Sequence, residues 1–198
     1  MNIVFDLGGV VVNWQPGKLV SSVFDDTETQ QLVRKQIIEH ADWLELDRGC
    51  LGLDRAINRG AARTGLPSED IEKLFQAVPP SLTPIEATIE LVHELSRTPH
   101  SLFVLSNMHL ASIAYLEQHH TFWGVFDGIV ISSRVNKVKP EIPIYEHLLD
   151  RFQLEPGDTV FIDDLEENLT AASSVGIQTI RFRDTAQCRR ALVNLGCL

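Results

Sequence analysis

Four short stretches of this sequence carry side chains that could do chemistry together: Asp6, Ser106-Asn107, Lys139 and Asp163-Asp164. Both aspartate sites and the serine close apolar runs, and Lys139 stands just before a helical pattern. If those runs are neighbouring strands, one crevice holds three carboxylates, a hydroxyl, an amide and an ammonium. Crowded carboxylates repel one another and hold their protons unless a cation sits among them. A hard divalent ion with oxygen ligands relieves the repulsion, and Mg²⁺ is the usual one beside phosphate. Lys139 and the Ser106-Asn107 pair are then left to hold an anion, and the combination reads as phosphoryl transfer. Taken singly, each residue has a plainer reading: Asp6 as a turn residue, Ser106-Asn107 and Asp163-Asp164 as helix caps, Lys139 as a surface charge. Their order and shared place at strand ends favour the joint reading.

The elements that must position these groups are legible from hydrophobic pattern. Runs at 2–6 (NIVFD), 101–106 (SLFVLS), 127–132 (DGIVIS) and 158–163 (DTVFID) are almost continuously apolar, as strands covered on both faces are. A fifth run, QTIRF at 178–182, completes the set. Helical patterns at about 84–96, 110–119, 141–152 and 165–175 alternate with them, which predicts an α/β sheet with right-handed crossovers. Residues 15–83 break the alternation. They show no strand and four helical patterns, near 17–24, 28–40, 52–64 and 69–77. An insertion behind the first strand sits where open α/β sheets bind ligands, so a lid is expected there. The predicted division is thus a core of residues 1–14 and 84–198 and a helical cap of 15–83.

Composition narrows the partners. The chain of 198 residues has 17 basic and 27 acidic side chains, a formal charge of −10, which argues against nucleic acid or an anionic membrane. Cys50, Cys188 and Cys197 lack metal-ligand spacing and read as free thiols of a reducing compartment. The N-terminus enters a strand pattern directly, so a cytoplasmic protein is expected, monomeric by default. Trp14, Trp43 and Trp123 read as packing residues, with Trp43 facing the substrate. Asp25-Asp26 and Glu166-Glu167 read as solvated faces, and the adjacent His119-His120 cannot share one helix face.

The set FDLGGV, VLSN, KPEIPIY and FIDD resembles the four signature motifs of the haloacid dehalogenase-like hydrolase superfamily. FDLGGV with LDRG at 46–49 resembles its α-D-glucose-1-phosphate phosphatase branch. The resemblance implies a Rossmann-like parallel sheet of order 5-4-1-2-3 under a small helical cap. It implies Asp6 as the nucleophile of an aspartyl-phosphate intermediate, and Mg²⁺ held by Asp6, the Gly8 carbonyl and Asp164, with Asp163 joining directly or through water. Ser106, Asn107 and the N–H groups of Leu7 and Gly8 would surround the phosphate, and Lys139 would neutralise charge. Asp47 and Arg48 of the cap would meet the substrate, a small phosphate ester such as a sugar phosphate.

Gly8 departs from the usual pattern of the resembled superfamily, in which a second aspartate protonates the leaving group. Such general acid help is worth about 10²–10⁴-fold. Asp47 or His109 could stand in, although His109 reads first as a solvated residue at a helix start. Two rivals remain: a 2-haloacid dehalogenase, whose members resemble this chain but carry a bulky aromatic at the position of Gly8, and a non-catalytic binder of phosphate esters.

Overall fold

The computed structural model describes Met1–Leu198. Strand β1 (Asn2–Phe5) leads into an all-helical segment. That segment holds α1 (Pro16–Ser21), α2 (Thr27–Val33) continuing as a π-helical turn (Arg34–Ile38), α3 (Ala41–Asp47), α4 (Leu53–Thr64) and α5 (Ser68–Ser81). The rest alternates: α6 (Glu86–Leu95), β2 (Ser101–Ser106), α7 (Leu110–His119), β3 (Gly128–Ile131), α8 (Ser132–Val135) and α9 (Ile142–Phe152). It closes with β4 (Thr159–Asp163), α10 (Glu166–Ser174), β5 (Gln178–Arg181) and α11 (Thr185–Asn194).

The sheet is parallel throughout, in the order β3-β2-β1-β4-β5, the expected order read from the other edge. Period-two side chains divide its two faces. Ile3, Phe5, Leu102, Val104, Val160 and Ile162 enter one core cluster. Val4, Phe103, Leu105 and Phe161 enter the other. This double burial is why the strands read as unbroken apolar runs, and each large side chain so buried contributes about 1.5–3 kcal/mol. Because β1 is central, with Phe5 opposite Val104 and Ile162, the next residue, Asp6, emerges between the ends of β2 and β4.

The helical segment gathers a separate cluster, including Leu19, Val33, Ile71 and Leu74. The chain returns to the sheet where Asn13 N–H donates to the Thr83 carbonyl and Ile85 N–H to the Val11 carbonyl. Several elements differ from expectation. The single pattern near 28–40 becomes α2 and its π-helical turn, and α3 follows as a separate helix. Helix α5 runs through Pro79 and Pro80, which fall in its last turn. Helices α8 and α11 are not evident from periodicity. Asp26 is exposed, as expected, and its carboxylate also accepts from Thr29 N–H at 2.7 Å, capping α2.

Candidate active site

Lys139 organises the site. Its ammonium lies 2.9 Å from Asp6 Oδ1 and 2.7 Å from Asp163 Oδ2, and the residue is only 2% exposed. The Asn107 side chain fixes its backbone, accepting from Lys139 N–H at 2.8 Å and donating to its carbonyl at 2.9 Å. Asp163 is fixed in turn. Both its oxygens accept from Asn168 Nδ2 at 3.0 Å, and Oδ1 also accepts from Leu165 N–H at 2.8 Å. Asp163 therefore grips Lys139 from behind, whereas Asp164 lines the cavity beside Asp6 and Gly8.

Burial dominates the electrostatics. It pushes the Asp6 carboxyl up to about 7, against the pull of Lys139 and with added repulsion from Asp163 and Asp164. Asp164 is raised as well, by burial and then by Asp163. Burial works against the Lys139 ammonium, but Asp6 and Asp163 together outweigh it and raise its pKa. Asp6, Asp163 and Asp164 offer oxygens all within 4.8 Å of one another. Three carboxylates against one ammonium leave a deficit of positive charge, and the donors are all hard oxygens. That chemistry fits Mg²⁺. Gly9 belongs to the same design: at φ 76° it takes a conformation costly for other residues, and a Cβ there would meet Asp164 Oδ2 at 2.7 Å.

The backbone donors are unequally available. Leu7 N–H is spent on Asp6 Oδ1 at 2.7 Å, while Gly8 N–H donates to no other group of the protein. The Ser106 hydroxyl, at the end of β2, is buried without a partner, an uncommon condition, and does not itself line the cavity. Gly8 leaves space where a side chain could stand: its nearest neighbour to a Cβ would be Trp14 Cβ at 3.6 Å.

Above this floor lies a cavity of about 290 Å³. Its upper wall is largely apolar, made by Trp14, Ile38, Trp43, Val78, Leu82 and Met108, so Trp43 does face the cavity as expected. Trp43 stacks on Phe75 at 5.6 Å and meets the His109 ring edge-on at 5.9 Å. Trp123 is elsewhere, with its Nε1–H donating to the Leu116 carbonyl at 3.1 Å.

Two expectations about the residues around the cap are corrected. Arg48 does not line the cavity. Its guanidinium makes a bidentate pair with Glu141 at 2.7 Å and a further bond to Glu45 at 3.0 Å, tying the end of α3 to the loop that carries Lys139. His109 is not solvated but 4% exposed, with Nδ1 3.3 Å from Asp47 Oδ1 and Nε2 2.9 Å from Ser112 Oγ. Asp47 stays at the cavity wall, held there by Ser132, whose hydroxyl donates to the Asp47 carbonyl at 2.5 Å and accepts from Met108 N–H at 2.9 Å. Gly49 completes the join: at φ 80°, a Cβ would stand 2.5 Å from the Ser133 carbonyl. Gly49→Ala should therefore destabilise the protein by about 1–3 kcal/mol, measured by urea unfolding.

Asn168 and Ser112 do not stand out in the sequence. Asn168 is five residues after Asp163, on the first turn of α10, where a side chain can reach back to the strand end. Ser112 lies one helical turn beyond His109, the spacing at which side chains meet.

A buried carboxylate clamped to a lysine at the end of a central parallel strand, beneath a helical insertion, defines a hydrolase of α/β architecture. The chain belongs to the haloacid dehalogenase-like hydrolase family, whose model matches residues 3–182. It is 28% identical to the sesquiterpene phosphatase astK of Aspergillus oryzae, over 98% of this chain and 96% of that protein. It is 26% identical to drimenol cyclase drtB of Aspergillus calidoustus, over 98% of this chain but only 36% of that longer protein. Among solved structures, the HAD family enzyme BT-2542 of Bacteroides thetaiotaomicron, in complex with magnesium and inorganic phosphate, superposes with a TM-score of 0.69. The match has 19% identity and covers 92% of this chain and 93% of that one. The L-2-haloacid dehalogenase of Xanthobacter autotrophicus gives the same TM-score of 0.69 at 17% identity, over 98% of this chain and 82% of that one.

Proposed function

We propose that the protein is a Mg²⁺-dependent phosphatase that hydrolyses a small phosphate monoester through an aspartyl-phosphate on Asp6. The observation that carries this reading is the Asp6–Lys139–Asp163 clamp, with Asp164 at the cavity wall and the unpartnered Ser106 hydroxyl buried at the end of the neighbouring strand β2. Asp6 attacks phosphorus, and a carboxylate nucleophile divides one hard displacement into two easier ones. Lys139 pulls Asp6 toward its ionised form against burial and offsets charge gathering on the phosphoryl oxygens. Ser106 Oγ–H and Gly8 N–H donate to those oxygens, while Asn107 fixes Lys139. Asp6, Asp164 and the Gly8 carbonyl would hold Mg²⁺, with Asp163 reached directly or through water. Bound there, the ion supplies the positive charge that three carboxylates and a phosphate require. Residues 15–83 act as the cap over residues 1–14 and 84–198.

The cavity wall guides the substrate reading. A sugar brings several hydroxyls, and each one buried without a partner costs about 1–3 kcal/mol. Beyond the floor the wall offers few polar groups, Asp47, His109 and Ser112, against six large apolar side chains. The alcohol portion is therefore a hydrocarbon rather than glucose, in keeping with the sesquiterpene phosphatase among the relatives. The dehalogenase and the inert binder are disfavoured by the same cluster: a dehalogenase has no use for Asp164 as a third carboxylate, and a mere binder has no use for a nucleophile.

Released phosphate, assayed on farnesyl monophosphate and glucose 1-phosphate with Mg²⁺ or EDTA, tests this. Turnover of the prenyl ester with Mg²⁺, lost in EDTA, is expected, with kcat/KM at least about tenfold below it for the sugar ester. EDTA-insensitive turnover of 2-chloropropionate, or no phosphate from any ester, would refute it.

A further inference from the structure

We propose that Asp47 is the general acid and base of the reaction, replacing from the cap the side chain that Gly8 lacks. This assignment rests on the phosphatase reading above. Asp47 is 8% exposed and lines the cavity together with Asp6, Gly8 and Lys139. Its Oδ1 faces His109 Nδ1 at 3.3 Å, while Oδ2 has no partner in the protein. With the exchangeable proton confined to Oδ2, Oδ1 can only accept, which puts the ring proton on Nδ1 and leaves Nε2 to accept from the Ser112 hydroxyl at 2.9 Å. This tautomer leaves Oδ2 as the atom that carries a proton to substrate. It also supplies an N–H that steadies the carboxylate once the proton has gone. His109 and Ser112 are positioning residues.

Proton and bonds balance over the two half-reactions. First, an Asp6 oxygen bonds to phosphorus as the bond from phosphorus to the alcohol oxygen breaks, and the proton on Asp47 Oδ2 passes to that oxygen. Second, water returns a proton to Oδ2 while its oxygen bonds to phosphorus and the Asp6–phosphorus bond breaks. Placing this group on the cap is sterically unforced. Gly8 has room for a side chain, so the proton donor was not excluded from the strand end by crowding.

The test compares phosphate release from octyl phosphate, whose alkoxide needs a proton to leave, with release from p-nitrophenyl phosphate, whose phenolate does not. In Asp47→Asn the ratio of the two kcat/KM values should fall by at least about 10²-fold, the lower range for general acid catalysis. Asp47→Ser, smaller and equally without a carboxyl proton to give, should shift the ratio the same way. Adding Gly8→Asp to Asp47→Asn should recover at least about tenfold on the octyl ester. A purely structural role for Asp47 would lower both substrates together, and that result, or an unchanged ratio in both variants, overturns the assignment. Wild-type protein that releases phosphate from neither ester overturns the phosphatase reading itself, and this assignment with it.

Discussion

Asp6→Asn should lower phosphate release by at least about 10⁴-fold, the scale on which loss of a catalytic nucleophile is felt. The same change should shift the balance of stability in the opposite sense. Asp6 is held at about 7 in the folded, metal-free protein against 3.8 for the free side chain. A folded pKa above the unfolded one means that the folded state binds more protons between those values. Its contribution is therefore complete below about 4 and lost as pH rises through about 7. Each pH unit separating the two values corresponds to about 1.4 kcal/mol, so the loss amounts to a few kcal/mol. Asparagine cannot ionise and does not suffer it. In EDTA, the melting temperature of Asp6→Asn relative to wild type should rise between pH 5 and pH 8, and Mg²⁺ should restore the wild type at pH 8. A difference independent of pH would show that Asp6 does not bear the charge burden assigned to it.

Lys139→Met should be the most damaging single change to the fold of the site. The ammonium is sealed between Asp6 and Asp163, and methionine keeps the length of the side chain while removing the charge. Two buried carboxylates would then face each other without compensation. Removing one member of a buried ionic cluster costs about 3–5 kcal/mol. Urea unfolding at pH 8 in EDTA should show a loss of that size, and a smaller one at pH 5, where Asp6 takes up a proton. Phosphate release should fall by about 10²–10³-fold even with Mg²⁺ present, as when one preorganised electrostatic partner is removed. A loss of stability below about 1 kcal/mol would contradict the clamp.

The parts of the molecule legible in the sequence are those governed by local rules. Strand runs such as SLFVLS declare double burial through composition alone, and Asp6 and Asp163 are conspicuous because each interrupts such a run. Asn107 is found by position, although the structure gives its side chain to the Lys139 backbone. What stays hidden depends on contacts between distant segments. His109 reads as solvated because its partner, Asp47, lies 62 residues away. Arg48 reads as free to meet substrate because Glu141 lies 93 residues away. Helix α3 is obscured by its shortness, Ala41–Asp47, and by the π-helical turn before it, which shifts the apolar period.

The join made by Ser132, Gly49 and Arg48 has a consequence for admission. Swinging the helical insertion away would break the Ser132–Asp47 bond, the bidentate Arg48–Glu141 pair and the bond from Asn136 to the Arg48 carbonyl at once. Each neutral bond is worth about 1 kcal/mol, and those to charged groups somewhat more. These contacts favour the joined arrangement, and on the phosphatase reading the ester meets walls already set. Selection then works as in a mould rather than a grasping hand: bulk and contour decide what enters, before any chemistry begins.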